Sequence, residues 1–350
     1  MNGSPTLADR STPAGLRLIG DVMDIYRKVF VTGRTAALLS RPNRVRRTGF
    51  DLDVTIAAIE REAADVVSLT LRAAGGGPLP AWRPGAHVDV FLPSGRQRQY
   101  SLCGDPSDRF RYRIAVRLIE DGDGGSREIH RSLRAGDRLR IRGPRNAFPF
   151  VDAPSYLFLA GGIGITPILP MVEAAGARGR LVYVGRSRAT MPFLADLPDA
   201  DIRPDDEFGP PDVAALLSRA EPGAAVYVCG PPPMLEAAQR CLFELNPTGS
   251  LHTERFSALP VADGAEFDLT LARTGATVRV AADETALTAI HRAVPDAPYS
   301  CRQGFCGTCK VAVVSGAVDH RDRVLTAAER ENQMLVCVSR AAGEHLVVDL

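Results

Sequence analysis

Four of the chain's seven cysteines are gathered into its last fifty residues, and their spacing limits what that stretch can fold around. Cys301, Cys306 and Cys309 form a C-x4-C-x2-C run, and Cys337 follows after 27 further residues. Four thiolates can close two tetrahedral irons bridged by sulfide, three from one tight loop and the fourth from a distant strand. Such a loop has to curl closely around inorganic sulfide, where side chains are in the way. Gly304 and Gly307 meet that need, and Ser300, Arg302 and Thr308 leave backbone N–H groups to bond sulfur. Structural zinc is the rival use of four cysteines, but its ligands usually come as two C-x2–4-C knuckles. Here only Cys306 and Cys309 have that form. The four cysteines are therefore expected to ligate a [2Fe–2S] cluster. A cluster in this spacing carries one electron at low potential, about −400 mV. It needs a donor and an acceptor, and the rest of the chain should supply at least one.

The chain's 350 residues suffice for two or three domains. With 42 Lys+Arg against 41 Asp+Glu, the charge balance gives no case for nucleic-acid binding. No run of about 18 apolar residues occurs, so no transmembrane helix is expected. Residues 1–15 lack the apolar core of a secretory signal. Bunched cysteines in such a chain read as ligands in a reducing cytoplasm rather than as disulfides. Residues 1–47 are rich in arginine, and Ile19, Val22, Met23, Tyr26, Val29 and Phe30 recur at helical spacing. The expectation is a basic amphipathic extension, packed on the protein's body or docking a partner or an acidic membrane.

From residue 48 the texture changes. Short β-rich runs at 51–59, 65–71, 87–92, 111–116 and 138–142 are separated by Gly-, Pro- and Asp-bearing turns, which suggests a small antiparallel barrel. From 151 the pattern becomes α/β: apolar runs at 156–160, 181–184 and 225–228 read as buried strands of a parallel sheet alternating with helices. Residues 258–265 look like a linker. A hairpin over 267–280 and a helix at 285–292 precede the cysteine loop.

Two strand ends in the α/β region carry candidate binding residues. Gly161-Gly162-Ile163-Gly164 lies between a strand and a helix, where glycine lets backbone approach a pyrophosphate at the helix N-terminus. Thr166 is expected to cap that helix and Pro167 to suit its first position. A second strand ends in Val228-Cys229-Gly230-Pro231. The carboxyl ends of two strands in one parallel sheet define a ligand crevice, and Cys229 there could touch a nicotinamide. In the barrel region, Arg98-Gln99-Tyr100-Ser101 offers a phosphate-binding cation, a ring to pack on a flat heterocycle and a hydrogen-bond donor. Gly124-Gly125-Ser126 precedes a helical run and is a plausible phosphate seat. Taken singly, each of these also fits structural punctuation or a surface strand. His87, on a strand, reads as a satisfied structural histidine, and Cys103 and Cys241 as core residues.

The three motifs in fixed order, RQYSLCGDP, GGIGITPILPM with YVCGPPPM, and SCRQGFCGTC, resemble flavoproteins of the ferredoxin reductase type fused to a C-terminal plant-type ferredoxin. The similarity is to the phthalate dioxygenase reductase and vanillate O-demethylase reductase group, and runs from about residue 50 to the end. It implies a multidomain fold: an antiparallel β-barrel flavin domain at 48–150, an α/β parallel-sheet nucleotide domain at 151–258 and an α+β (β-grasp) ferredoxin domain at 259–350. It further implies FMN, NADH and a [2Fe–2S] cluster, and a reductase serving a terminal oxygenase, either a Rieske non-haem iron protein or a cytochrome P450.

By the same resemblance, Arg98, Tyr100 and Ser101 match the flavin-contact motif, Val116 and Arg117 the next flavin-side strand, and Gly124, Gly125 and Ser126 the FMN phosphate segment. Gly162, Gly164, Ile165 and Thr166 match the nicotinamide-nucleotide loop, and Cys229, Gly230 and Pro231 the turn under the nicotinamide. Phe256 is the candidate ring over the flavin. FMN rather than FAD rests on Pro144-Arg145-Asn146-Ala147-Phe148, where FAD-binding relatives usually carry a Gly-rich stretch. Arg186 and Arg188 could hold the 2′-phosphate of NADPH, although similar segments occur in relatives that use NADH. A redox sensor or electron carrier without a dedicated oxygenase is the alternative function.

Overall fold

The computed structural model describes residues 51–122, 124–295 and 297–350. The basic amphipathic helix expected within 1–47 lies outside them.

Six strands form the first sheet: β1 (Asp51–Ala63), β2 (Val66–Ala73), β3 (Ala86–Phe91), β4 (Gln97–Ser101), β5 (Tyr112–Arg117) and β6 (Arg138–Asn146). Every pairing is antiparallel, in the order β4-β3-β6-β1-β2-β5. The sheet curls until its two edges approach, and a single bridge between Leu102 and Ile114 joins them. Alternate residues point inward, so Val54, Ile56, Leu69, Leu71, Val88, Val90, Ile114 and Ile141 make one apolar core. Helix α1 (Gly125–Ser132) covers one end, with Ile129 in that core.

The second sheet is wholly parallel and five-stranded: β7 (Tyr156–Gly161), β8 (Gly179–Gly185), β9 (Asp201–Pro204), β10 (Ala225–Cys229) and β11 (Ser250–Glu254), in the order β11-β10-β7-β8-β9. The sequence reading missed β9 and β11. Both carry mostly half-buried residues without an apolar run, and each is placed by pairing with a buried strand rather than by its own pattern. The chain turns to one side after β7 and to the other at β10, so these neighbours form the topological switch point. Helices α2 (Ile165–Ala175) and α3 (Pro232–Leu245) follow β7 and β10. The two sheets share a core: Val66, Cys103, Ala115 and Phe148 pack with Tyr156, Phe158, Ile168, Met171 and Tyr227. The Tyr227 hydroxyl fixes the crossing, donating to the Pro149 carbonyl at 3.0 Å and accepting the Val151 N–H at 2.8 Å.

The C-terminal sheet is mixed. It contains β12 (Phe267–Leu271), β13 (Thr277–Val280), β14 (Lys310–Ser315), β16 (Gln333–Leu335) and β18 (His345–Val348), in the order β13-β12-β18-β14-β16. A separate ribbon pairs β15 (Val318–Asp319) with β17 (Arg340–Ala341). Helix α4 (Ala286–Ala293) begins at Thr285, whose hydroxyl accepts the Thr288 N–H, and lays Leu287 and Ile290 on the sheet. Its core is its own, closed by Phe267, Leu269, Met334, Leu346 and Val348.

Candidate functional site

The ends of β7 and β10 meet backbone to backbone. A Cβ on Gly164 would lie 2.2 Å from the Cys229 carbonyl oxygen, and one on Gly161 would lie 2.7 Å from the Pro231 ring. Any side chain at either position would force apart the loop at 161–164 and the Cys229-Gly230-Pro231 turn. Gly164 is thus set against Cys229 and Gly230, and Gly161 against Gly230 and Pro231, while Gly162 stands open, with no atom within 4 Å of a Cβ placed on it. The role expected of Thr166 is corrected. The loop runs through a 3-10 turn, Gly162–Gly164, so the helix starts two residues earlier than expected: its N-cap is Gly164, without a side-chain bond, and Pro167 is its third residue. Thr166 is the second helical residue, and its buried hydroxyl donates back to the Ile163 carbonyl at 3.0 Å.

Cys229 is 1% exposed. Burial, and next the nearby Glu254 carboxylate, push its thiol well above its ordinary range. Glu254 ends β11, one strand over and in register with Cys229. Part of the residue faces a cavity, yet protein closely surrounds the carboxyl. That burial raises its pKa to about 8, against a weak downward pull from Ser101, whose hydroxyl donates to Oε2 at 3.5 Å. In sequence the segment around Glu254 points only to Phe256. An acid at a strand end gives no signal until the fold sets it against Ser101 and Cys229.

That cavity measures about 780 Å³ and lies between the first two sheets and the cysteine loop. Arg98 and Ser101 line it from β4, Glu254, Arg255 and Phe256 from the end of β11, and Tyr299, Cys301 and Phe305 from the cysteine loop. Of the expected flavin-side residues, Arg98, Ser101 and Phe256 stand on its wall. Tyr100 packs on the first sheet's core. Val116 points into that core, and its carbonyl is hydrogen-bonded to the His130 ring at 2.8 Å. Arg117 follows it at the end of β5. Gly124 and Gly125 open helix α1, where a Cβ on Gly125 would meet the Arg98 Nε at 2.7 Å. Ser126 closes the turn by accepting the Ile119 N–H at 3.0 Å. The Arg98 guanidinium thus spans from the N-terminus of α1 to the Tyr299 ring, 4.7 Å from its centroid. A helix N-terminus beside a guanidinium on a cavity wall fits a flavin phosphate.

The cysteine loop curls through left-handed conformations at Arg302, Gly304 and Gly307. A Cβ on Gly304 would lie 2.7 Å from Val338, so glycine there lets the loop close on the strand end that carries Cys337. The four sulfurs pair two by two: Cys301 hydrogen-bonds Cys306, and Cys309 hydrogen-bonds Cys337. In each pair one thiol is drawn toward the thiolate, Cys306 to about 5 by its bond from Cys301, and Cys337 downward by its bond from Cys309. Among the described residues no group of three or more cysteine, histidine or carboxylate side chains surrounds one point. Four cysteine thiols from one loop and a distant strand end are the donor set that a [2Fe–2S] cluster would take. Backbone N–H groups do reach the sulfurs. The Thr308 N–H bonds Cys306 as expected, and Cys301 receives the N–H groups of Gln303, at 3.3 Å, and Phe305.

His87 departs from expectation. It is 2% exposed, and neither ring nitrogen has a hydrogen-bond partner among the described residues. Burial, aided by Arg145, lowers its pKa to about 3, so it is neutral. Cys103 is a core residue as expected, and Cys241 packs at the edge of a core. No helix among the described residues is long and apolar enough to cross a membrane.

Comparison with known proteins bears on this site. Residues 269–342 match the 2Fe-2S iron-sulfur cluster binding domain family. A putative toluene-4-sulfonate monooxygenase system reductase subunit of Comamonas testosteroni is 40% identical over 317 residues, covering 86% of this chain and 99% of the relative. The solved phthalate dioxygenase reductase, described as a modular structure for electron transfer from pyridine nucleotides to [2Fe–2S], is 36% identical. It has a TM-score of 0.64 and covers 86% of this chain and 98% of that one. An intact type IV self-sufficient cytochrome P450 monooxygenase is 41% identical with a TM-score of 0.63, over 86% of this chain and 41% of that longer one.

Proposed function

Because the chain belongs to the phthalate dioxygenase reductase family, we infer that it is the reductase component of a multicomponent oxygenase. It draws electrons from NADH and delivers them through FMN and a [2Fe–2S] cluster to a terminal oxygenase, a Rieske non-haem iron protein or a cytochrome P450. The observation that carries this reading is the shared cavity, which brings together the flavin-contact strand β4, the end of β11 in register with Cys229, and the cysteine loop. We assign 48–150 to an FMN-binding β-barrel domain, 151–258 to an NAD-binding domain and 259–350 to a β-grasp ferredoxin domain. The seven cysteines form no disulfide, which supports placement in the cytoplasm.

Arg98 and the N-terminus of α1 at Gly124, Gly125 and Ser126 would hold the FMN phosphate. Tyr100, Ser101, Val116 and Arg117 would frame the flavin ring from β4 and β5, with Phe256 as its cover. The loop through Gly162, Gly164, Ile165 and Thr166 would receive the pyrophosphate, and Cys229, Gly230 and Pro231 would form the floor beneath the nicotinamide. Bound FMN accepts the electron pair of a hydride from NADH and releases it as single electrons, the form the cluster takes. The chain's own part is placement and charge. Burial raises the pKa of Glu254 to about 8 and that of Cys229 well above its ordinary range, which favours the neutral form of both beside the nucleotide turn. The two arginines considered for NADPH are already engaged: Arg188 with Glu207 at 2.7 Å and 3.0 Å, Arg186 with Asp65 at 3.4 Å. That favours NADH.

The test uses two acceptors. NADH should drive reduction of cytochrome c, a one-electron protein acceptor, and of ferricyanide. Cys306→Ser should abolish the first and keep the second, because ferricyanide can take electrons from the flavin. Cytochrome c reduction at the wild-type rate in Cys306→Ser would show that electrons do not leave by the cluster.

A further inference from the structure

One face of the first sheet buries polar residues, of which only Ser101 belongs to the flavin site. Strand register sets His87 opposite Ser101, Asp89 opposite Gln99 and Phe91 opposite Gln97. The odd-numbered residues of β3 and β4 therefore share a face, while Val88 and Val90 point into the core. Ten polar or charged side chains are buried among the described residues, and His87, Asp89, Gln97 and Ser101 are four of them. A patch of that kind is a face made to be covered by another segment, not an interior.

The cover is the cysteine loop. The Ser300 hydroxyl donates to Asp89 Oδ1 at 2.7 Å. Gln97 Nε2 donates to Thr308 Oγ1 at 3.4 Å. The His87 ring meets Phe305 edge-on, with centroids 6.4 Å apart. Ser300, Phe305 and Thr308 are the residues immediately before Cys301, Cys306 and Cys309. Each contact thus falls next to a cluster ligand. Asp89 is the fixed point of the set: it is wholly buried, and its second oxygen is paired with Arg145 on β6. With both oxygens engaged it can neither turn nor slide.

The contrast with the other junction sharpens this. The first and second sheets share an apolar core, whereas the C-terminal core contains no residue of the first sheet. Apolar contacts tolerate small displacements. Hydrogen bonds to a buried, ion-paired carboxylate are directional and fix a position. Tunnelling between two redox centres falls off exponentially with their separation, so a fixed position is what a loop carrying one centre needs.

We propose that Asp89, anchored by Arg145, is a positioning residue for electron transfer, setting through Ser300 how closely and at what angle the Cys301 loop stands against flavin-contact strand β4. This rests on the function inferred above. The transfer concerned is that of one electron at a time from reduced flavin to oxidised cluster, the pair having come from NADH.

The test uses the protein loaded with flavin and cluster, mixed anaerobically with NADH and followed by stopped-flow absorbance and freeze-quench EPR. Ser300→Ala and Asp89→Asn should slow cluster reduction about tenfold or more. The rate of flavin reduction and the EPR line shape of the dithionite-reduced cluster should stay as in wild type. Ser300→Thr, which keeps the hydroxyl, should restore the rate. Apart from turnover, amide hydrogen exchange across 301–309 in the oxidised protein should rise in Ser300→Ala and return in Ser300→Thr. Cluster reduction at the wild-type rate in both Ser300→Ala and Asp89→Asn, or slowed only in step with flavin reduction, overturns the proposal. A wild-type protein that never passes electrons from NADH to the cluster overturns the functional reading instead.

Discussion

Glu254→Gln should make the protein's stability respond differently to pH, with a sign that the structure dictates. Burial raises this carboxyl from its ordinary 4.5 to about 8. Between those values the folded protein holds a proton that the unfolded chain has released, so stability falls as pH rises through the window. Below about 4.5 both states are protonated and the group costs nothing. Above about 8 it is ionised in both, and the full cost is present. Each pH unit across that window costs about 1.4 kcal/mol, so the ceiling is about 5 kcal/mol. The cavity is open to water and lined by Arg98, Arg255, Arg302 and Arg323, which should reduce that to a few kcal/mol. Glutamine keeps the shape of the protonated acid and can still take the Ser101 hydroxyl, but it does not ionise. Urea unfolding of wild type and Glu254→Gln at pH 5, 7 and 9 measures the effect. The variant should match wild type at pH 5 and exceed it progressively toward pH 9. A difference independent of pH would refute a buried, neutral Glu254.

Three further outcomes follow from the geometry. Glu207→Gln should release Arg188 from its two-bond pair and raise kcat/KM for NADPH relative to NADH several-fold; an unmoved ratio places the adenosine ribose elsewhere. Gly164→Ala should cost about 1–3 kcal/mol by overpacking against the Cys229 carbonyl and raise the KM for NADH while flavin content stays normal, and a wild-type KM would remove the loop from the nucleotide site. Arg98→Gln should weaken FMN retention by about tenfold or more, the worth of a charge-assisted hydrogen bond, measured by equilibrium dialysis; an unchanged Kd would put the phosphate away from α1.

What could be read from the sequence was what is set locally. The cysteine spacing encodes the reach of one loop, and the glycines at 304 and 307 do supply left-handed backbone. The alternating runs that became β1, β2, β3, β5 and β6 were legible because one face of each is core. β9 and β11 were not, since their neighbours rather than their own pattern make them strands. Thr166 misled because cap-like residues are read one position at a time, whereas the 3-10 turn before it moved the helix start. His87 misled more deeply, and Asp89 beside it gave no signal at all. Their strand is ordinary in sequence, and their burial depends on Ser300 and Phe305, more than 200 positions downstream. Glu254 is the same case, placed against Ser101 across a separation of 153 residues.

The central claim is a route for electrons from NADH by way of flavin to the four-cysteine cluster. An anaerobic titration of the loaded protein with NADH, read by flavin absorbance and low-temperature EPR, tests it most directly. The flavin band should bleach and a rhombic [2Fe–2S] signal should grow in the same titration, and Cys337→Ser should keep the bleaching and lose the signal. A cluster that dithionite reduces but NADH leaves EPR-silent, with the flavin fully bleached, would contradict the account.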